Sequence, residues 1–204
     1  MNDKKYLLRE YYALCEGGVC EDFLTESEKK EVKDGKTMIL TGVMQRAGQK
    51  NGNGRIYPKG VLEKTMKDYQ KLIDENRALG ECDHPETSVV ELKNVSHMLV
   101  ETWWKGDDLM GKIKLLATPM GQILMSLIQA GVQLGISSRG LGSVKEQNGD
   151  TIVEDDYCLV CFDVVSDPST SGAFMNLKEN KIPLDKVFKK ADRINRKLNA
   201  ILDD

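Results

Sequence analysis

At 204 residues, 40% of them apolar, the chain is long enough for one good-sized core and too short for more than two small domains. Twenty-nine basic against 32 acidic residues give a net charge of -3, which removes the general electrostatic reason to expect nucleic acid or an acidic membrane surface as a partner. There is no signal peptide, no apolar run of the ~18 residues a membrane span needs, and an odd number of cysteines, so a reducing cytoplasm is the expected setting.

Residues 1–34 are dense in Glu and Lys around Gly17-Gly18, and read as an arm outside the core, with at most a short helix near Tyr6 to Leu14. A core strand is predicted over Thr37 to Met44, then a loop over Gln49-Lys-Asn-Gly-Asn-Gly54. Pro58 suits the first turn of a helix whose apolar positions Val61, Leu62, Met66, Tyr69, Leu72 and Ile73 repeat near 3.6 and which ends near Asn76. A short strand, Ala78 to Cys82, runs into Asp83-His84-Pro85, where the proline holds His84 extended. A long strand from Val89 to Trp104 turns through Lys105-Gly-Asp-Asp108 into an antiparallel partner, Leu109 to Leu116. His97 lies inside the first of these, in line with Val95 and Leu99, and reads as a packed histidine.

Pro119 opens a second helix that Gly131 stops. A hairpin over Gln147-Asn-Gly-Asp150 and a strand from Tyr157 to Val165 follow. That strand carries Cys158-Leu-Val-Cys161, whose alternation sends the two thiols to opposite faces; no second C-x-x-C or nearby His completes four ligands, so the pair reads as small hydrophobes rather than a metal site. It also carries Asp163, an acid among Phe162, Val164 and Val165 that is costly to bury unless it has a partner. After the polar segment 176–181, a charged helix with Val187, Ile194, Leu198 and Ile201 reads as an appendage. The division expected is an arm (1–34) that could be a propeptide, a domain (35–175), and a linker with a charged C-terminal helix (176–204) that would be a propeptide or a scaffold-binding segment.

Between the second helix and the hairpin lies Gly135-Ile-Ser-Ser-Arg-Gly-Leu-Gly-Ser143. Such a cluster reads either as an ordinary bend or as a loop that displays a serine hydroxyl beside backbone amides. His84, Ser137 and Asp163 stand on three separate elements, and a base, a hydroxyl and an acid of that kind can meet in space whatever their spacing. No Gly-x-Ser-x-Gly elbow and no His-Glu-x-x-His is present.

Four strings in order, Arg55-Ile-Tyr-Pro-Lys59, Ala78-Leu-Gly-Glu-Cys-Asp-His-Pro85, Val100-Glu-Thr-Trp-Trp-Lys-Gly106 and the 135–143 stretch, resemble the prohead core proteases of T-even-like tailed phages, which are similar in turn to herpesvirus assemblins. The resemblance implies an α+β fold, a small, mostly antiparallel β-barrel flanked by helices. It implies a serine endopeptidase without metal or other cofactor, made as a precursor that cuts itself, acting on scaffold (core) and major capsid proteins inside the prohead in the host cytoplasm. Neither nucleic acid nor membrane is an expected partner, and a homo-oligomer is left open.

Carried onto this chain, Ser137 is the expected nucleophile, with Ser138 as its rival, His84 the general base and Asp163 the acid that orients it. The backbone amides of Ser138, Arg139 and Gly140, with the Arg139 side chain, are the candidates for an oxyanion site. Cleavage after Glu in Leu/Ile-x-Glu is implied, and Glu10, Glu16, Glu26 and Glu179 end such strings in the arms. The alternative is a non-catalytic capsid-assembly or scaffold-binding module; a small-molecule esterase fits less well, since no cap or lid segment is visible.

Overall fold

The computed structural model describes residues 6–13, 25–28, 38–85 and 87–166. In chain order the elements are β1 (Tyr6–Ala13), β2 (Ile39–Arg46), β3 (Arg55–Ile56), α1 (Lys59–Asp74), β4 (Leu79–Glu81), a 3-10 turn (Leu92–Asn94), β5 (Val95–Lys105), β6 (Asp108–Leu115), α2 (Pro119–Gln129), β7 (Gly135–Gly142), β8 (Val144–Gln147), β9 (Asp150–Val153) and β10 (Cys158–Val165). A helical turn at 26–28 is also present.

Local chemistry explains most of these. Helix α1 follows Pro58 and buries Val61, Leu62, Met66, Tyr69 and Ile73 along one face. Tyr69 meets Phe162 of β10 edge-on, with ring centroids 6.3 Å apart, and Thr65 Oγ1 donates to Tyr157 O at 2.8 Å. Helix α2 is capped by Thr118, whose hydroxyl accepts from Gly121 N at 3.1 Å, and it stops at Gly131 with φ +83°. Asn148 and Gly149 both take positive φ in the β8–β9 hairpin, as a two-residue turn with the native twist demands.

Three sheets result. The first has the order β1-β7-β10, the second β2-β6-β5-β4 and the third β3-β9-β8; every pairing is antiparallel except β3 with β9. The expected closed barrel is therefore corrected to an α+β fold of open sheets. Sheets one and two do abut along two seams: β1 packs beside β2 without a ladder, and beyond the three-residue β4 the chain meets β10 through one parallel bridge, Cys82 to Val164. The hydrogen-bonded ring is interrupted at both places, and side chains fill them instead. Leu40, Met44, Leu62, Ile113 and Ile136 are fully buried between the layers, each contributing about 1.5–3 kcal/mol by leaving water.

Two readings of the sequence change. The first is the arm: Tyr6–Ala13 is a strand along the whole edge of β7, and Leu8 is buried in the core. Tertiary pairing of an aromatic-rich segment overrides its charged neighbourhood. The second is the strand predicted from Val89, which begins at Val95. Val89 and Leu92 are 68% and 76% exposed, because Glu91 N is held by Glu81 Oε1 at 3.0 Å and the chain turns there. The remaining arm residues and the 176–204 linker and helix lie outside the described residues.

Candidate active site

The stretch read as a bend or displayed loop is strand β7, paired on both edges. Alternation puts Ser137 and Arg139 on one face and Ile136, Ser138 and Gly140 on the other. Register sets Asp163 opposite Ser137 and Cys161 opposite Arg139, so β10 lays an acid and a thiol beside the serine and the guanidinium. From the second sheet, β4 ends at the buried Glu81, and Asp83 then turns the chain with φ +64°. Asp83 N donates to Val164 O at 2.9 Å and Cys82 N to Asn94 O at 3.1 Å, which anchors the turn and aims His84 at β7.

There the imidazole bridges two groups. His84 Nδ1 donates to Asp163 Oδ2 at 3.0 Å, and its Nε2 accepts from the Ser137 hydroxyl. The buried carboxylate on one side selects the tautomer that leaves a lone pair on the other. Burial alone would raise the Asp163 carboxyl, but the His84 hydrogen bond and the Arg139 charge outweigh it and hold Asp163 below its ordinary value.

Behind the acid stands a second layer. Arg139, fully buried, donates from Nη2 to Glu81 Oε2, to Asp163 Oδ1 at 3.2 Å and to Cys161 Sγ at 3.0 Å, and from Nη1 to Thr87 O at 2.7 Å. Its Nε lies 2.9 Å from Asp163 Oδ2 as an ion pair without hydrogen-bond alignment. Asp163 Oδ1 also accepts from Glu81 N and from the Cys161 thiol, each at 3.2 Å. Burial and the Asp163 charge push the Cys161 thiol up, which keeps it a donor. Glu81, Cys161 and Asp163 bring ligand atoms within 4.8 Å of one another, as a metal site would, but the Arg139 guanidinium already pairs with both carboxylates there.

Of the residues singled out from sequence, the fold brings His84, Ser137 and Asp163 together. Ser138 is buried on the opposite face, and its hydroxyl has no hydrogen-bond partner among the described residues. The oxyanion expectation meets a different geometry: Ser138, Arg139 and Gly140 are each paired with β1 and with β10, so their amides face the ladder, and the Arg139 side chain is spent on acids. Gly140 serves packing, since a Cβ there would lie 2.5 Å from the Tyr157 ring.

His97 is buried. Ser96 Oγ donates to its Nδ1 at 2.8 Å, and its Nε2 donates to Phe162 O at 2.9 Å. The ring crosses over Gly80, where a Cβ would lie 2.2 Å from Nε2. The thiols do part as alternation requires, Cys158 exposed and Cys161 buried. Glu10 lies on β1, opposite Ser138; Glu26 is exposed in the 26–28 turn; Glu16 and Glu179 lie outside the described residues.

Glu81, Thr87 and the polar role of Cys161 escaped the sequence reading. The signal for Glu81 was available: an arginine in a glycine-rich apolar strand needs a buried acid as surely as Asp163 needs a cation.

A family model described as prohead core protein serine protease matches residues 10–182. The chain is 36% identical over 160 residues to the prohead core protein protease of Enterobacteria phage T4, covering 73% of this chain and 76% of that protein. It is similar to the solved structure of the bacteriophage T4 capsid assembly protease, with a TM-score of 0.67 and 30% identity over 81% of this chain and 99% of that one. Agreement of family, sequence and fold over most of the length leads to one conclusion: the chain belongs to the prohead core protein serine protease family.

Proposed function

We propose that the chain is a serine endopeptidase of prohead maturation, with Ser137 as nucleophile, His84 as general base and Asp163 as the acid that orients the base. The observation that carries this is one imidazole meeting a hydroxyl at Nε2 and a buried, ionised carboxylate at Nδ1. As Ser137 Oγ attacks a peptide carbonyl carbon, His84 Nε2 takes the hydroxyl proton and Asp163 stabilises the imidazolium. The same proton passes to the leaving amine as the C–N bond breaks, leaving an acyl-serine. Water then gives its proton to His84 and hydroxide to the acyl carbon, releasing acid and regenerating Ser137.

The names of the T4 relatives, a prohead core protein protease and a capsid assembly protease, support scaffold and major capsid proteins as substrates, cleaved inside the prohead. Cleavage follows Glu in Leu/Ile-x-Glu, and the chain processes itself at strings of that kind. Ser137 is wholly buried and the His84 side chain 8% exposed, which suits a precursor whose cleft opens on processing. Among the self-cleavage sites, Glu26 is exposed, whereas the Glu10 peptide bonds lie within a paired strand that a protease would first have to strip from β7. Glu26 is therefore favoured over Glu10.

Mass spectrometry of the purified chain beside a Ser137→Ala control tests this. Fragments ending at Leu/Ile-x-Glu glutamates in the first sample only are expected. Identical intact masses, together with no cleavage of a Leu-x-Glu peptide, would leave the non-catalytic assembly module as the better reading.

A further inference from the structure

We propose that Glu81 and Arg139 are positioning residues that set the charge felt by the His84–Asp163 pair, Glu81 cancelling Arg139 so that Asp163 keeps a full negative charge for the imidazolium. This rests on the reading of Ser137, His84 and Asp163 as the reacting groups. Arg139 alone would be a poor neighbour for such a site. A guanidinium 2.9 Å from Asp163 Oδ2, the oxygen that receives the His84 proton donor, orients the carboxylate but also competes with the imidazolium for its charge.

Glu81 removes that competition. Its Oε2 accepts from Arg139 Nη2, its Oε1 is fixed by Glu91 N at 3.0 Å, and its own N–H donates to Asp163 Oδ1. Both side chains are fully buried, so water screens the pair little. The imidazole meets Ser137 and Asp163, and the polar and titratable groups around that pair are Glu81, Cys82 and Asp83 from β4 and its turn, Arg139 from β7, Cys161 from β10, the neutral phenol of Tyr69 from α1 and His97 from β5 beneath Gly80. Asp83 is exposed, and burial keeps the Cys82 and Cys161 thiols and the His97 ring neutral. One buried positive and two buried negative charges remain. The cluster therefore carries -1 with His84 neutral and reaches zero when His84 takes the serine proton.

The chain has two histidines, so ring signals of the full chain, labelled on histidine, can be followed by NMR against pH without turnover. His97 serves as the folded-state reference, and His84→Gln identifies the other signal. In Glu81→Gln the His84 titration midpoint is expected to move down by about one pH unit, because Arg139 is left uncancelled. In Arg139→Gln it moves up by a similar amount, and in the double variant it returns between the two. Shifts of the same sign in both single variants, or no shift in either folded variant, would reduce the pair to a structural role. If one single variant does not fold, the sign of the other decides. Loss of Ser137-dependent cleavage bears on the protease reading; these midpoints bear on the charge network.

Discussion

The two histidines both reach β10, at adjacent residues, and what each finds there separates them. His97 binds the Phe162 carbonyl and the Ser96 hydroxyl, two neutral partners, inside the core. Burial lowers it to about 4, against the pull of Asp163 and the Phe162 carbonyl, so near neutral pH it is a pin joining the second sheet to the first. His84 binds the Asp163 carboxylate and the Ser137 hydroxyl at the edge of the same seam. An anion on one nitrogen and a hydroxyl on the other make a proton acceptor. The side chain is the same; one residue along β10, from Phe162 to Asp163, changes its chemistry.

The largest test of that contrast removes the reacting groups. Ser137→Ala or His84→Ala should cut the rate on a Leu-x-Glu peptide by on the order of 10⁶, with His97→Gln retaining most of its activity wherever it stays folded. Next comes Asp163→Asn, which keeps the shape but allows the wrong His84 tautomer; a fall in kcat on the order of 10⁴, with KM little changed, is expected in steady-state assays. Gly80→Ala attacks the other histidine. Its Cβ would lie 2.1 Å from Phe162 O and 2.2 Å from His97 Nε2, so the pin must break, at about 2–4 kcal/mol in urea unfolding.

An effect of similar size is expected from pH. His97, neutral in the fold and free to charge when unfolded, contributes stability that is full above about pH 6.5 and is lost as pH falls toward about 4. A loss on the order of 3 kcal/mol across that window is expected, above the range where the Asp163 carboxyl, itself held low, takes its proton. Urea midpoints that do not fall between those pH values would mean His97 is not buried neutral.

Much of this was legible where the cause is local. The α1 stripe, the Thr118-Pro119 start of α2 and the Asn148-Gly149 turn each state their structure within a few residues. Strand β1 was not, because its conformation comes from an edge of β7 more than a hundred residues away. His84, Ser137 and Asp163 could be named from residue types and from likeness to a family, but the choice of Ser137 over Ser138 depends on which face of β7 meets the seam. Arg139 signals that it needs a buried acid but not which one, since Glu81 lies 58 positions from it along the chain. The glycines of 135–143 misled, since those at 140 and 142 make room for Tyr157 rather than for a ligand.

The most direct test of the central claim is mass-spectrometric mapping of the residue modified by a fluorophosphonate probe in the processed protein. Modification of Ser137, kept in Ser138→Ala and lost in Ser137→Ala and His84→Ala, is the expected result. A label on Ser138, or one on Ser137 that survives the loss of His84, would contradict it.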